Sequence, residues 1–464
     1  MIGLIQESIR TRKVGMFGIS FNSEWNNWIS ELSKPLHGRN RWRLQNVITG
    51  ILFASGRHTV TSWWRAIAVG SRFRSYYYFL DCVGRKILPI ASTLLMIVFK
   101  HLASNSSPVF MFALDDSSTK RFGPKVQGAG YHHNPTPGPA GAKFLYGHNW
   151  VVASWLQRHP RFGLISLPLL GLLYVRKKEI SHLPASLGVT FRSKLELAAD
   201  LIHWLGTHKA LFSKPVWLIA DGFYAKKAVF QAARQENIVV VSRIRTDSKL
   251  FEPPPKLNPC QKRGRGQPRK YGEKRLDLRK RAGQKRGWTK IEVLATDGRR
   301  MTKYYKSFLA SWPVISGMIR VVLLREEDGT WRPLVCTDLE ASEEMIIQAS
   351  TDRWGIEQSF HDLKEVERIA EVQLRRYHSN IGGLNLNLWT HTLTELWAWR
   401  KSSSELVNRE LSPWDDPNRR PSHADRRKSL KQWIMQQEYN RLDISTALHK
   451  RIHGYVKMLR IRVF

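Results

Sequence analysis

Cysteine is scarce in this chain of 464 residues. Cys82, Cys260 and Cys336 are the three, they stand far apart, and no CxxC pair occurs. That excludes a disulfide framework and a cysteine-based zinc knuckle, and it suits a reducing cytosol. Long apolar runs are missing too. The longest, near 87–99 and 162–175, contain Pro89 and Pro168 and fall short of the ~18–20 residues a membrane helix needs. They read as core segments. The opening MIGLIQESIRTRKVG lacks an apolar stretch of signal-peptide length. Acid is the third shortage: 38 Asp and Glu face 74 Lys and Arg, for a net charge of +36 and a pI of about 10.4. The expectation is a soluble, cytoplasmic protein with no membrane partner and a polyanionic one, nucleic acid first among the candidates.

Hydrophobic residues make up 42% of the chain and aromatics 11%, enough for real cores spread over several domains. No internal repeat is visible. Residues 1–105 read as helical. NRWRLQNVITGILFASG predicts an amphipathic helix ending at Gly56. TVTSWWRAIAVG predicts a second, capped by Thr59 or Thr61 and stopped at Gly70, and SRFRSYYYFLDCVGRK a third. Short helices with alternating arginine and aromatics fit either a helix-turn-helix-like DNA-binding region or a plain helical bundle.

Residues 106–244 change texture. VFMFALDD is a continuous apolar run closing on Asp115 and Asp116, the pattern of a buried strand. After a glycine- and proline-rich loop come YGHNWVVASWL and FGLISLPLLGLLYV, two antiparallel strands about the turn-like QRHPR. SKLELAADLIHWLGTH repeats its apolar residues at helical spacing. PVWLIAD is a second buried strand closing on an acid, Asp221. YAKKAVFQAARQE then reads as a helix and IVVVSRI as a strand. The predicted order is strand, strand, strand, helix, strand, helix, strand: an α/β core with a right-handed crossover. Acids at the carboxyl ends of its strands stand where α/β sheets place their sites.

Residues 245–342 read as a basic, β-rich insertion. PPPKLNPCQKRGRGQPRKYGEKR opens it, and two segments that alternate like hairpins follow, each turning at Asp-Gly. Within 343–400 lie TDRWGIEQSFHDLKE and the helix GGLNLNLWTHTLTELWAWRK. Residues 401–464 form a C-terminal region whose SPWDDPNRRPSHADRRKS reads as polar loop.

At about 100° per residue, Glu357 falls ~40° and Lys364 ~20° from Arg353, beside the apolar stripe of Ile356, Phe360 and Leu363. In isolation this is an ordinary i,i+4 surface pair. With Asp115 or Asp116 and with Asp221, Glu357 makes a third carboxylate. Such a set suits two divalent ions acting on a phosphodiester, and oxygen ligands without cysteine or a histidine cluster favour Mg²⁺ or Mn²⁺ over zinc.

From about residue 105 to 425 the chain resembles the DDE-type insertion-sequence transposases, cut-and-paste enzymes with an RNase H-like core. LDDSSTKRFGPKVQGAGYHHNPTPGPAG, YGHNWVV, KPVWLIADGFYAKK, GRGQPRKYG, DRWGIEQSFHDLKEV and SPWDDPNRRPSHADRR carry the resemblance. One branch has a Tyr/Arg/Glu/Lys signature with two, three and six residues between its members. Arg353, Glu357 and Lys364 match it, and Ser350 stands at the tyrosine position.

The resemblance implies an α/β fold: an RNase H-like catalytic core, a β-rich insertion between the second Asp and the Glu, and an N-terminal all-helical DNA-binding region. It implies a two-metal Mg²⁺ or Mn²⁺ site on the first Asp, Asp221 and Glu357, with Arg353 and Lys364 gripping phosphates. The family's Asp-x-Thr/Ser pattern fits both Asp115 with Ser117 and Asp116 with Ser118. Asp115 is preferred; neighbours on a strand face opposite ways, so one of the two is expected to be the ligand. Arg263, Arg265, Arg269 and Lys270 form a phosphate-binding arm. Trp288, Trp312 and Trp331 are candidates for stacking on a flipped base, while His132 and His133 read as ordinary loop residues. The implied partners are terminal inverted repeats, target DNA and a second copy of the chain, in a nucleoid-associated protein. The rival readings are a catalytically inactive DNA-binding relic and a stand-alone RNase H-like nuclease.

Overall fold

The computed structural model describes residues 23–102, 107–134, 141–255, 269–409 and 414–440. Two compact units divide the chain: Met1–His101 with Asp362–Phe464, and Leu102–His361.

The first unit opens with helices α1 (Glu24–Ser33), α2 (Gly38–Phe53), α3 (Val60–Ala66), α4 (Phe73–Arg85) and α5 (Ile87–Leu102). Side-chain caps start α1 and α3: Ser23 Oγ accepts from Asn26 N, and Thr59 Oγ1 from Ser62 N. This satisfies donors that a helix start leaves without partners. Trp25, Trp28, Leu44, Ile48, Trp63 and Phe79 are buried between these helices. Among the described residues no single helix is long and apolar enough to cross a membrane.

The second unit is built on one mixed sheet of twelve strands. β1 (Phe110–Lys120), β2 (Gly130–His133), β3 (Phe144–His159) and β4 (Gly163–Tyr174) come first. β3 pairs antiparallel with β1 on one side, and with β2 and β4 on the other. Pro168 sits in β4 where the register with β3 shifts, on an outer strand, the setting in which a residue without an N–H is tolerated. After the short α6 (Lys177–Ile180), α7 (Lys194–Gly206) begins with a capping box between Ser193 and Glu196, which satisfies two of its orphan donors. β5 (Val216–Ala220) lies parallel to β1, and β6 (Val239–Arg243), reached through α8 (Lys227–Gln235), lies parallel to β5. The strands and helices expected over 106–244 are thus present.

β7 (Leu250–Phe251), β8 (Arg275–Leu276), β9 (Thr289–Leu294), β10 (Arg300–Trp312), β11 (Gly317–Arg325) and β12 (Trp331–Cys336) extend the same sheet, with the short α9 (Leu278–Gly283) among them. The join is β12 against β6, where Leu334, Val335 and Cys336 pair with Arg243, Ser242 and Val241. The strand-rich stretch therefore continues the core sheet.

The stretch read from sequence as one helix is two. α10 (Glu343–Asp352) and α11 (Trp354–Glu365) meet at Arg353. Arg353 keeps helical dihedrals, so the turn count through it is little changed. The start of α11 packs close to the sheet: a Cβ on Gly355 would come within 2.7 Å of a Leu164 methyl.

α11 runs across the division between the units. The first unit then resumes with α12 (Tyr377–Ala398), α13 (Ser403–Leu406) and α14 (His423–Asn440). The backbones of α4 and α12 come so close that a Cβ on Gly84 would overlap the His378 carbonyl, and one on Gly382 the Leu80 carbonyl. The loop expected from Ser412 onward gives way to α14 at His423. The first turns of its buried face are ionic, and apolar burial begins only at Leu430 and Ile434. His423 Nδ1 lies 2.6 Å from Glu395 Oε1 and its Nε2 3.1 Å from Glu367 Oε1; Arg426 Nη1 lies 2.5 Å from Glu395 Oε2, and Arg427 Nε 3.3 Å from Glu367 Oε1. The ring of His391 stacks on His423 at 4.0 Å. The two arginines hold Glu367 and Glu395 down to about 2, and the two carboxylates raise His423 to about 9 against its desolvation.

Candidate active site

The last parallel pair between β1 and β5 is Leu114 with Ala220. Asp221 is the residue after β5 and stands at that strand's carboxyl end; Asp115 is one past the last pair with β5 but lies within β1, which does not close on the acids as expected from sequence and runs on to Lys120 paired with β3. Asp115 Oδ2 lies 3.2 Å from Arg353 Nη1, and Glu357 Oε1 lies 2.6 Å from Arg353 Nη2. One guanidinium thereby bridges the middle of β1 and the first turn of α11. Burial pushes the Asp115 carboxyl up to about 7; Arg353 and the Asp116 backbone N–H oppose this, while the charges of Asp116 and Asp221 add to it. Among the described residues the Asp221 carboxylate has no hydrogen bond or ion pair; its backbone carbonyl accepts from Ser242 Oγ and Tyr224 N.

Asp116 is engaged quite differently. Its Oδ2 accepts from Lys194 Nζ at 2.6 Å and Asn149 Nδ2 at 3.1 Å, and its Oδ1 from the Tyr224 hydroxyl at 2.9 Å. Burial, with Asp116 and Asp115 beside it, holds the Tyr224 hydroxyl well above its usual range and keeps it a donor.

Of the other residues singled out from sequence, Lys364 is exposed in the last turn of α11. Arg269 and Lys270 are exposed, and Arg269 pairs with Glu273. Arg263 and Arg265 lie outside the described residues. Trp312 is buried against Phe230, and Trp288 carries Lys306 and Arg325 over its ring at 4.8 and 4.4 Å. Trp331 is half-buried. His132 is buried and driven down to about 4 by desolvation, with Lys194 and Arg176 adding to the effect. His133 is exposed.

Sequence reasoning missed Lys194, Asn149 and Tyr224. Lys194 left a signal, because a cation at the first position of a helix opposes the helix dipole and needs a compensating partner. It also missed two aromatics beside the acids, Phe223 and Trp354, both about half exposed at 49% and 52%. The Arg353 guanidinium lies 5.5 Å from the Trp354 ring centre.

Residues 31–305 match the family described as DDE superfamily endonuclease. The match includes Asp115, Asp116 and Asp221 and stops before Glu357. No curated protein matches the chain. Among solved structures, the cryo-EM structure of a piggyBac transposase synaptic complex with hairpin DNA is similar at a TM-score of 0.37 and 11% identity, over 97% of this chain and 80% of that one. The match over more than half its length makes this chain a member of the DDE superfamily of endonucleases.

Proposed function

We infer that the chain is a DNA transposase with an RNase H-like core. It cuts one strand at each transposon end and joins the released end to target DNA. The observation that carries this reading is that Asp115 and Glu357 both pair with Arg353, with Asp221 close enough to act on Asp115 and lining the same small cavity as Arg353, while Asp116 is tied to protein donors instead.

The residues fit a hard divalent ion. Asp115, Asp221 and Glu357 offer oxygen donors only, the set that Mg²⁺ and Mn²⁺ favour. Burial raises the Asp115 carboxyl to about 7 and Arg353 offsets only part of this, so a divalent ion seated there would hold it ionised. Asp115, Asp221 and Glu357 would hold two such ions, which when bound activate the attacking oxygen and stabilise the leaving one. Asp116, fixed by Lys194, Asn149 and Tyr224, positions the stretch of β1 that carries Asp115. Arg353 keeps the acids together until substrate arrives, then donates to a phosphate oxygen as a charge-assisted pair. Lys364 adds a second phosphate contact.

In the first step a water oxygen bonds to the scissile phosphorus, the P–O3′ bond breaks, and the 3′ oxygen leaves as a hydroxyl. In the second, that 3′ oxygen bonds to a phosphorus of the opposite strand or the target, the P–O3′ bond there breaks, and its 3′ oxygen takes the proton and leaves as a hydroxyl, so one phosphodiester replaces another. The net charge of +36 supports DNA as the polyanion, with the N-terminal helices and the 256–270 arm taking the terminal repeats. Joining two ends calls for two copies of the chain. The test is a strand-transfer assay with a pre-cut end bearing a free 3′-hydroxyl and a supercoiled plasmid: joined product supports a transposase, and cleavage without joining reduces the protein to a nuclease.

A further inference from the structure

In the first unit both ring nitrogens of His391 are buried without a hydrogen-bond partner among the described residues. Asp362 Oδ2 lies 4.0 Å from its Nε2, too far for a hydrogen bond. A buried imidazole has lost its bonds to water, and a wall that replaces none of them calls for a ligand.

Two further donors stand beside it. Glu395 follows His391 by four residues on α12, so the two share a helix face. His423, in the first turn of α14, stacks its ring on that of His391 at 4.0 Å. One nitrogen from each histidine and one Glu395 oxygen lie within 4.8 Å of one another, and all three side chains are buried. A tetrahedral ion with bonds of about 2.0–2.1 Å spaces its ligand atoms about 3.3 Å apart, so shifts of roughly 1 Å bring these three onto one ion.

The groups behind these donors suit an ion as well. His423 Nε2 faces Glu367 Oε1 at 3.1 Å, and its Nδ1 faces Glu395 Oε1 at 2.6 Å. A proton kept on Nε2 for Glu367 leaves the Nδ1 lone pair directed toward Glu395, the arrangement in which a carboxylate orients a metal-binding histidine. Arg426 Nη1 holds the other Glu395 oxygen, Oε2, at 2.5 Å, which leaves Oε1 to the ion. Arg427 Nε, 3.3 Å from Glu367 Oε1, steadies the carboxylate behind His423.

We propose that His391, Glu395 and His423 form a structural Zn²⁺ site, with Asp362 as the fourth ligand and Glu367 orienting His423. Two imidazoles with carboxylates favour Zn²⁺ over the hard Mg²⁺ that suits Asp115, Asp221 and Glu357. Four protein ligands leave no open position, which marks the role as structural. The ion ties the last turn of α11, which carries Asp362, to α12 and α14. It competes with the proton on His423, because a metal takes neutral imidazole; the same residues serve as the ionic network or as the ligand set. None of them belongs to the acid site, so the proposal does not depend on the transposase reading.

The test strips the full chain with EDTA and reloads it with Zn²⁺ in an excess of Mg²⁺, which occupies the acid site. Zinc that survives gel filtration is counted, and thermal melts are recorded with and without it. The wild type is expected to keep one Zn²⁺ per chain and to melt higher when loaded. His391→Phe preserves the ring stack and removes both nitrogens. It is expected to fold, to lose that zinc, and to melt at the same temperature with and without Zn²⁺. Co²⁺ in place of Zn²⁺ is expected to give the intense visible bands of a four-coordinate ion in the wild type. A wild-type chain that keeps no zinc would overturn the proposal, and so would zinc kept by His391→Phe with its melting shift unchanged. Should His391→Phe not fold, the Co²⁺ spectrum of the wild type decides, and the weak bands of a six-coordinate ion alone overturn the site. No arm reads cleavage, so failure of the transposase reading leaves each result standing.

Discussion

Lys194 Nζ lies 2.6 Å from Asp116 Oδ2, and this contact separates two adjacent aspartates by role. Asp116 has its lone pairs taken by Lys194, Asn149 and Tyr224, while Asp115 faces Arg353. Asp116→Asn is expected to cost about 1.5–3 kcal/mol, the range for hydrogen bonds to charged groups, and to leave measurable cleavage. Asp115→Asn is expected to abolish cleavage and to leave the melting temperature at or above the wild-type value, because it removes a poorly solvated charge. Thermal melts beside a nicking assay check both.

The Asp115 carboxyl also sets a pH dependence. Its pKa rises from 3.8 to about 7 on folding, so between those values the folded state holds the extra proton. Its contribution to stability is full below pH 3.8 and falls as pH rises through about 7. Binding of a divalent ion at pH 7 must then expel part of that proton. Calorimetric titration with Mg²⁺ in two buffers of different ionisation enthalpy should show release of about half a proton, with about 2.7 kcal/mol of added stability at a hundredfold excess over Kd. Asp221→Asn should lose both effects.

In the first unit the buried network of Glu367, Glu395, His423, Arg426 and Arg427 bounds stability on two sides. The glutamates are held down to about 2, so their contribution is present above pH 4.5 and lost as pH falls through about 2. His423 is raised to about 9, so its contribution is present below pH 6.5 and lost as pH rises through about 9. His423→Gln should cost about 3–5 kcal/mol at pH 6, as loss of one partner from a buried ionic cluster does. It should also flatten the alkaline arm of the melting curve between pH 6.5 and 9.

Two glycines give a contrast in packing. At Gly382 an added Cβ meets a backbone carbonyl, that of Leu80, which cannot swing aside; at Gly355 it meets the end of the flexible Leu164 side chain. Gly382→Ala should therefore destabilise by about 1–3 kcal/mol or more, and Gly355→Ala by less. Urea unfolding of the two variants gives the order.

The strands that carry the candidate acids were legible because buried apolar runs closing on acid are a strong local pattern: PVWLIAD placed Asp221 at a strand end, while VFMFALDD found the strand of Asp115 but not its end, since β1 continues to Lys120 on pairing with β3. The start of α14 was not legible, since its first turns bury His423, Arg426 and Arg427 by ion pairing and apolar residues enter its buried face only from Leu430. The helix break at Arg353 leaves no mark either, having neither glycine nor proline at the joint. The sharing of Asp116 among Lys194, Asn149 and Tyr224 depends on contacts over 78, 33 and 108 residues of chain. Strand patterning limits only which of two adjacent acids can share a face.

The central claim is that Asp115, Asp221 and Glu357 form one metal-dependent cleavage site. The most direct measurement incubates the full chain and its Glu357→Ala variant with Mg²⁺ and a labelled duplex carrying the flanking element's terminal repeat. Nicked or hairpinned ends with the wild type, and intact but still bound duplex with the variant, are the expected result. Equal cleavage by both proteins would contradict the site, and tight, salt-sensitive binding with no cleavage by either would contradict the catalytic reading.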